Sequence, residues 1–196
     1  MSATELSADT RARILEAAWR RVRDHGTGAV SVKAIAQDAG VSRQLVYFHY
    51  RNRAGLLLAM ARDRDESSGF PDRARAARDL PPVAALEAVL RAWCAYLPDM
   101  VPVARALEAA LVTGDEGGDV WTARMDELHD VCRHVLARVG EAGRLAPGWT
   151  VDTAADWMWA HVQPSTWAHL VGHRGWSPAQ YTERTVGALV AELVGP

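Results

Sequence analysis

The sequence lacks an apolar segment long enough to cross a membrane. A membrane-spanning helix needs about 20 consecutive apolar residues, and no run in these 196 residues approaches that length. The first residues, MSATELSADTRAR, also lack the basic-then-apolar order of a secretory signal. We therefore expect a cytoplasmic protein that has no membrane partner.

Cysteine is scarce, and its placement excludes the usual cysteine-based sites. The two cysteines, Cys94 and Cys132, stand apart within apolar helical patterns, so they are predicted to be small buried hydrophobic residues. His169 and His173 stand four residues apart, but no acid or cysteine in the same predicted helix completes a set of metal ligands. No disulfide, metal or cofactor is expected.

Strand signatures, internal repeats and glycine-rich phosphate loops are also missing. The chain is instead 49% hydrophobic and 23% charged, as in an ordinary globular protein, and its apolar residues recur at helical spacing. We predict an all-α fold of about nine helices. A helical enzyme built on His129, Asp156 and His161 is one alternative function, although no nucleophile motif supports it, and a helical protein-interaction adaptor without DNA binding is another.

Charge is distributed unevenly along the chain. The formal net charge is only −2, but residues 1–62 contain 10 Lys and Arg against 5 Asp and Glu, whereas residues 63–196 contain 12 against 19. The first third is therefore the candidate for contact with a polyanion such as DNA.

Caps, glycines and prolines divide the helical pattern into segments. In the first third we predict a helix that ends near Gly26, a second over 32–38 capped by Ser31, a third capped by Ser42 that runs to about Tyr50, and a fourth capped by Asn52 that ends within 62–66. Residues 69–81 are predicted to be a linker or the frayed end of the fourth helix. Later helices are predicted from Pro82 to an interruption at Pro98 and Pro102, then over 102–112, over 120–139, over 151–173 with Pro164 inside, and over 178–194.

The second and third predicted helices have the features of a helix-turn-helix motif. Gly40 stands at the central position of the turn, where a positive φ is favoured, and Ala36 is small enough to let the two helices approach. Apolar residues occupy the positions that pack the unit together: Ile35, Val41 and Val46. Such a unit presents one helix to the major groove of DNA, although a hairpin of any helical bundle could share the pattern.

The segment AIAQDAGVSRQLVYFHYRNRAGLL closely resembles the DNA-binding motif of the TetR family of transcriptional regulators. The resemblance extends over roughly residues 11–60. Its matching positions are Ile35, Ala36, residues 39–42, Tyr47, His49, Tyr50, Asn52, Arg53, Leu56 and Leu57. The resemblance implies a helix-turn-helix DNA-binding domain over residues 1–52 and a larger helical domain over 53–196 that binds ligand and forms a homodimer.

The resemblance also implies roles for individual residues at the DNA. Arg43, Gln44 and Phe48 are expected to contact base edges, since Arg pairs with guanine, Gln with adenine and an apolar ring with the thymine methyl group. Contacts to phosphate are expected from Ser31, Lys33, Ser42, Tyr47, His49 and Arg53. Core packing is the alternative for Tyr47 and Phe48. Leu45 departs from the family pattern, which commonly has Thr there, so no operator sequence can be borrowed.

In the larger domain, tryptophan is concentrated. Seven of the eight tryptophans follow residue 90, which suits a cavity for an apolar, aromatic or cationic effector. The predicted pocket comprises Trp93, Tyr96, Leu97, Trp121, Met125, Leu128, Trp157 and His161. The predicted dimer interface comprises Trp167, Leu170, Val171, Val186, Leu189, Val190 and Leu193. We expect two copies to bind a palindromic double-stranded operator and a small effector to relieve repression.

Overall fold

A computed structural model gives the structure of the chain and describes residues 3–25, 31–113 and 117–196. Within these ranges it contains ten α-helices, so the predicted all-α class is confirmed and the helix count is one higher than expected. The helices are α1 Ala3–His25, α2 Val32–Asp38, α3 Arg43–Tyr50, α4 Arg53–Ser68, α5 Phe70–Ala76, α6 Pro82–Thr113, α7 Gly117–Glu141, α8 Val151–His161, α9 Pro164–Leu170 and α10 Pro178–Leu193. None of the helices in the described ranges is both long enough and apolar enough to span a membrane.

Backbone contacts divide the chain into two compact units. The N-terminal unit comprises Met1–Ser67 and Pro102–Thr122, and the C-terminal unit comprises Ser68–Val101 and Ala123–Pro196. The predicted boundary at residue 52 separates a DNA-binding domain from a ligand-binding domain, whereas these units are defined by backbone contacts. That boundary therefore stays a prediction. Gly26 and residues 114–116, which we expected to end or separate helices, lie outside the described residues.

The N-terminal unit is built around a small apolar core to which α1, α2, α3 and α4 all contribute. Its fully buried side chains include Ile14, Ile35, Leu56, Leu57 and Met60. Along α1 the buried residues Ile14, Ala18 and Val22 recur at four-residue spacing, so this helix buries one face. The opposite faces carry the arginines of the basic N-terminal third.

The C-terminal unit has its own core. Leu86, Leu90 and Leu97 of α6 are fully buried, as are Leu136 of α7 and Tyr181 of α10. The segment that follows α7 is joined to the C-terminal end of the chain by two backbone hydrogen bonds. The amide of Ala146 donates to the carbonyl of Leu193, and the amide of Gly195 donates to the carbonyl of Arg144, both at 2.9 Å.

Both cysteines are buried, as predicted. Burial raises the pKa of the Cys94 thiol to about 11 and that of the Cys132 thiol to about 12, because the thiolate would lose its hydration. Both side chains therefore behave as small apolar groups in the folded protein.

Three predictions about prolines were wrong. Pro98 and Pro102 do not interrupt a helix, because α6 continues through both over 32 residues. Proline removes one hydrogen bond from a helix interior but does not have to end the helix. Pro164, expected inside one long helix, instead occupies the first turn of α9, where its missing N–H has no cost.

The fourth helix and the segment after it are also more ordered than predicted. α4 runs through the charged residues 62–66 to Ser68. The expected linker contains α5 and a short 3-10 helix, Ala77–Asp79. The Arg- and Ala-rich composition of this segment suggested a linker, but alanine and arginine are both good helix formers.

Candidate nucleic-acid interface and effector cavity

The turn between α2 and α3 has the conformation that the sequence predicted. Gly40 has φ +64°, and the amide of Val41 donates to the carbonyl of Ala36 at 2.9 Å. From α1, Arg13 Nη2 donates to the carbonyl of Ala39 at 2.5 Å. The turn is therefore fixed both by its glycine and by a side chain from another helix.

Further polar contacts from α1 hold the motif in place. Arg21 of α1 forms two hydrogen bonds with the carboxylate of Asp38 at the end of α2, at 2.6 and 3.0 Å. The hydroxyl of Tyr50, at the end of α3, donates to the carbonyl of Arg11 at 3.2 Å. The end of α2 beside the turn and the end of α3 are thus both connected to α1, which positions the exposed face of α3.

The exposed face of α3 carries the residues predicted to read bases. Arg43, Gln44, Tyr47 and Phe48 are all exposed, whereas Val46 is buried. The side chain of Phe48 is 79% exposed, so core packing does not explain it. Residues four apart on a helix share a face, and this row forms one side of α3. We call these four residues the α3 row.

Ser42 caps α3, as predicted. Its Oγ accepts a hydrogen bond from the amide of Leu45 at 3.1 Å, which satisfies one of the unpaired amides at the helix start. Ser31 stands at the equivalent position of α2, but its side chain forms no capping hydrogen bond, so the predicted cap was wrong. Ser31 and Lys33 are exposed, whereas Arg53 is half-buried.

His49 is the phosphate candidate with the most defined chemistry. Its Nδ1 accepts a hydrogen bond from Arg11 Nε at 3.5 Å. Burial and the nearby Arg11 charge lower its pKa below the ordinary value of 6.5. At pH 7 the ring is therefore neutral, and because Nδ1 is the acceptor, the proton resides on Nε2. Nε2–H can donate to a phosphate oxygen without adding a positive charge.

In the C-terminal unit, several predicted pocket residues form a packed aromatic core. Trp93 and Tyr96 lie with ring centroids 5.6 Å apart, and Phe70 stacks on Tyr96 at 5.5 Å. Trp93 Nε1 donates to the carbonyl of Val162 at 2.8 Å. Leu97, Met125 and Leu128 are buried as well, and Trp121 is a buried residue of the N-terminal unit.

Trp157 and His161, which were also predicted to line the pocket, are both exposed. Trp157 is 43% exposed, and its ring lies 4.2 Å from that of His161 and 5.9 Å from that of Trp149. His161 Nδ1–H donates to the carbonyl of Trp157, one helical turn back, at 2.7 Å. The two residues face solvent because they lie on the outer side of α8.

A different cavity is present in the C-terminal unit, with a volume of about 310 Å³. It lies among α5, the 3-10 helix, the first half of α6 and the second half of α7. Its lining comprises Ala74, Ala77, Arg78, Ala85, Val89, Asp130, Val131, His134, Val135 and Arg138. None of these residues was predicted. Small side chains create the space, and alanine gives no sequence signal for a cavity.

The predicted dimer residues separate into two groups. Val186, Leu189 and Leu193 are buried within their own chain, so their side chains belong to the monomer core and cannot supply most of an interface. A second group is only half-buried and stays a prediction: Trp167, Leu170, Val171 and Val190.

Two of the three residues of the enzyme alternative are in contact, and the third has a different partner. His129 Nε2 lies 2.9 Å from Asp156 Oδ1, but His161 is bound to its own helix. Among the described residues, no group of three His, Cys, Asp or Glu side chains is placed to hold a metal ion.

Comparison with known proteins places the motif in a family context. Residues 14–60 match the model of the bacterial regulatory proteins of the tetR family. The chain is 35% identical over 75 residues to the HTH-type transcriptional regulator TtgR of Pseudomonas putida, covering 38% of this chain and 36% of TtgR. It is 27% identical over 140 residues to the transcriptional repressor AcnR of Corynebacterium efficiens, covering 70% and 69%.

A solved structure extends the likeness along the whole chain. NalD, the secondary repressor of the MexAB-OprM multidrug efflux pump in Pseudomonas aeruginosa, has a TM-score of 0.66 at 22% identity, with 97% of this chain and 98% of NalD covered. That likeness concerns the fold, whereas the family model matches residues 14–60 only.

Proposed function

Because residues 14–60 match the tetR family model, we propose that the chain is a transcriptional repressor of that family, which binds a palindromic operator as a homodimer and is released by a small effector. The observation that carries this proposal is the α3 row. Four side chains able to contact bases or phosphates are exposed on a helix whose other face is buried, and nothing in the folding of the N-terminal unit requires their exposure.

Charge supports the same assignment. The excess of positive charge lies in residues 1–62, the segment that contains the motif, while Ser42 and Lys33 stand at the starts of α3 and α2. Phosphate contacts by such residues and by Tyr47 fix the register of a protein on DNA, and base contacts by Arg43, Gln44 and Phe48 select the sequence.

A twofold dimer follows from the geometry of DNA. Two recognition helices must reach major grooves about 34 Å apart, or a multiple of that spacing. The half-buried residues Trp167, Leu170, Val171 and Val190 are the proposed contacts between copies. TtgR, AcnR and NalD are described as transcriptional regulators or repressors, which supports a regulatory rather than an enzymatic role.

Release by an effector requires a difference in affinity between two conformations. An effector that binds the DNA-competent and the incompetent conformations equally well shifts nothing, whatever its affinity. We therefore expect an effector to bind the C-terminal unit more tightly when DNA is absent, and DNA to weaken effector binding by the same factor.

The test is a salt titration of DNA binding by the full chain. A duplex recovered by the protein from a random pool is compared with a scrambled duplex of equal length. We expect tighter binding to the recovered duplex at every salt concentration and a steep linear fall of log affinity with log salt, since bound cationic groups release counterions. If no duplex is preferred at any salt concentration, the proposal is wrong. Sedimentation of the complex gives the number of copies bound.

A further inference from the structure

The cavity in the C-terminal unit has an apolar floor. Ala77, Ala85, Val89 and Val135 line it and are each at least 92% buried. Its volume of about 310 Å³ is at the lower end of the range for small-molecule sites. An occupant must therefore have a compact or slender apolar body.

The rim of the cavity carries an excess of positive charge. The titratable residues that line it are Arg78, Arg138, Asp130 and His134, which amounts to two guanidinium groups against one carboxylate when the histidine is neutral. A cationic ligand would meet net repulsion at this rim, whereas an anion would be attracted.

The position of one guanidinium is fixed by the chain itself. Arg138 Nη2 donates to the carbonyl of Leu80 at 2.8 Å, and Arg138 is half-buried. This bond uses one of the five N–H groups of the side chain. A guanidinium held in this way is well suited to a carboxylate, since less side-chain entropy is lost when the pair forms.

We propose that this cavity binds a small organic anion, with its apolar body on the alanine and valine floor and its carboxylate at Arg78 and Arg138. The proposal rests on the proposed function, because it names the chemical class of the effector. It also departs from the expectation of an aromatic or cationic ligand among the tryptophans, since of the three predicted to line a pocket Trp93 and Trp121 are buried and Trp157 is exposed.

Three probes with the same tail distinguish the charge of the head group: octanoate, octan-1-ol and octylammonium. Calorimetric titration of the full chain without DNA should show octanoate binding at least tenfold more tightly than octanol, with no detectable octylammonium binding. Each of Arg78→Gln and Arg138→Gln should remove the advantage of octanoate over octanol. Arg174→Gln, a change at an exposed arginine of the same unit, is the matched control and should leave binding unchanged.

A second variant tests the position of the apolar body. Ala74 lines the cavity and is only half-buried, so Ala74→Leu can narrow the space without disturbing the core. It should weaken octanoate and octanol by the same factor, because both have the same tail. The proposal is overturned if Ala74→Leu leaves octanoate binding unchanged, or if Arg174→Gln weakens it as much as Arg78→Gln and Arg138→Gln do. Either result would place the anion elsewhere.

DNA binding by the same protein preparations separates the two proposals. A chain that binds the recovered duplex but shows no preference for octanoate keeps its repressor function and loses this site. A chain that binds octanoate with the expected arginine dependence but prefers no duplex keeps the site, whereas the proposed function fails. If saturating octanoate leaves the DNA complex intact, the cavity is not the site of an effector that releases the protein from DNA.

Discussion

Truncation of Phe48 should separate DNA recognition from folding. The side chain is 79% exposed in the free protein, so Phe48→Ala should change the free energy of unfolding by no more than about 0.5 kcal/mol. Complete burial of a phenylalanine side chain contributes about 1.5–3 kcal/mol. A contact with a thymine methyl group buries part of that surface, so we expect a loss of about 1–2 kcal/mol, or roughly 5- to 30-fold in DNA affinity.

The assay is fluorescence anisotropy with the recovered duplex and with duplexes in which single thymidines are replaced by deoxyuridine. Deoxyuridine lacks the methyl group and keeps the base pair. If Phe48 contacts one methyl group, removal of that methyl group should hardly affect binding by the Phe48→Ala variant. The loss of binding free energy for the variant on the substituted duplex should then be smaller than the sum of the two separate losses.

The control is Val112→Ala. Val112 is also an exposed apolar residue, at 88%, but it lies on α6 and outside the motif. It should leave DNA affinity unchanged. The reasoning is refuted if Phe48→Ala binds the recovered duplex as tightly as the parent protein does, or if its loss is additive with deoxyuridine at every thymidine position.

Three further expectations follow from the structure. Arg43→Ala should weaken DNA binding by about 1–3 kcal/mol and relax the preference at one base pair. Lys33→Ala should weaken binding to all duplexes alike and reduce the slope of log affinity against log salt by about one. If both variants change specificity equally in a series of base-substituted duplexes, the division of roles is wrong. Gly55→Ala should destabilise the fold by about 1–3 kcal/mol in urea unfolding, because a Cβ there would lie 2.0 Å from the carbonyl oxygen of Tyr50; an unchanged midpoint would show that no clash exists. The free energy of unfolding should fall as pH rises from 9 to 12. The pKa of the Cys132 thiol is raised from its ordinary value of 9.0 to about 12 by burial in the folded protein, so in this range the unfolded chain loses the thiol proton first. Cys132→Ala should make this part of the pH profile less steep.

The helix-turn-helix could be predicted because its signals are local. Gly40 supplies the positive φ of the turn, Ser42 supplies a cap within three residues, and the apolar spacing of α2 and α3 shows which face is buried. The contacts from α1 were not predicted, because Arg13 and Arg21 meet partners 26 and 17 residues away. Sequence spacing within one helix contains no information about those partners.

The cavity among α5, α6 and α7 could not be predicted for the opposite reason. It depends on small side chains, such as Ala77 and Ala85, and on the packing of α5, α6 and α7 around the space they leave. The tryptophans gave a stronger sequence signal, but a large aromatic side chain fills volume as readily as it lines a pocket. Trp93 fills the core, and Trp157 lies at the surface.

The separation of exposed and buried faces on α3 has an evolutionary consequence. Val46 and Tyr50 pack into the unit, whereas Arg43, Gln44 and Phe48 project from it. Under the proposed base-reading role, we expect mutations at these three projecting positions to alter which operator is chosen while leaving the fold intact, so that new DNA targets can be reached by single steps through folded intermediates. The same property makes α3 a suitable element for retargeting this protein by design.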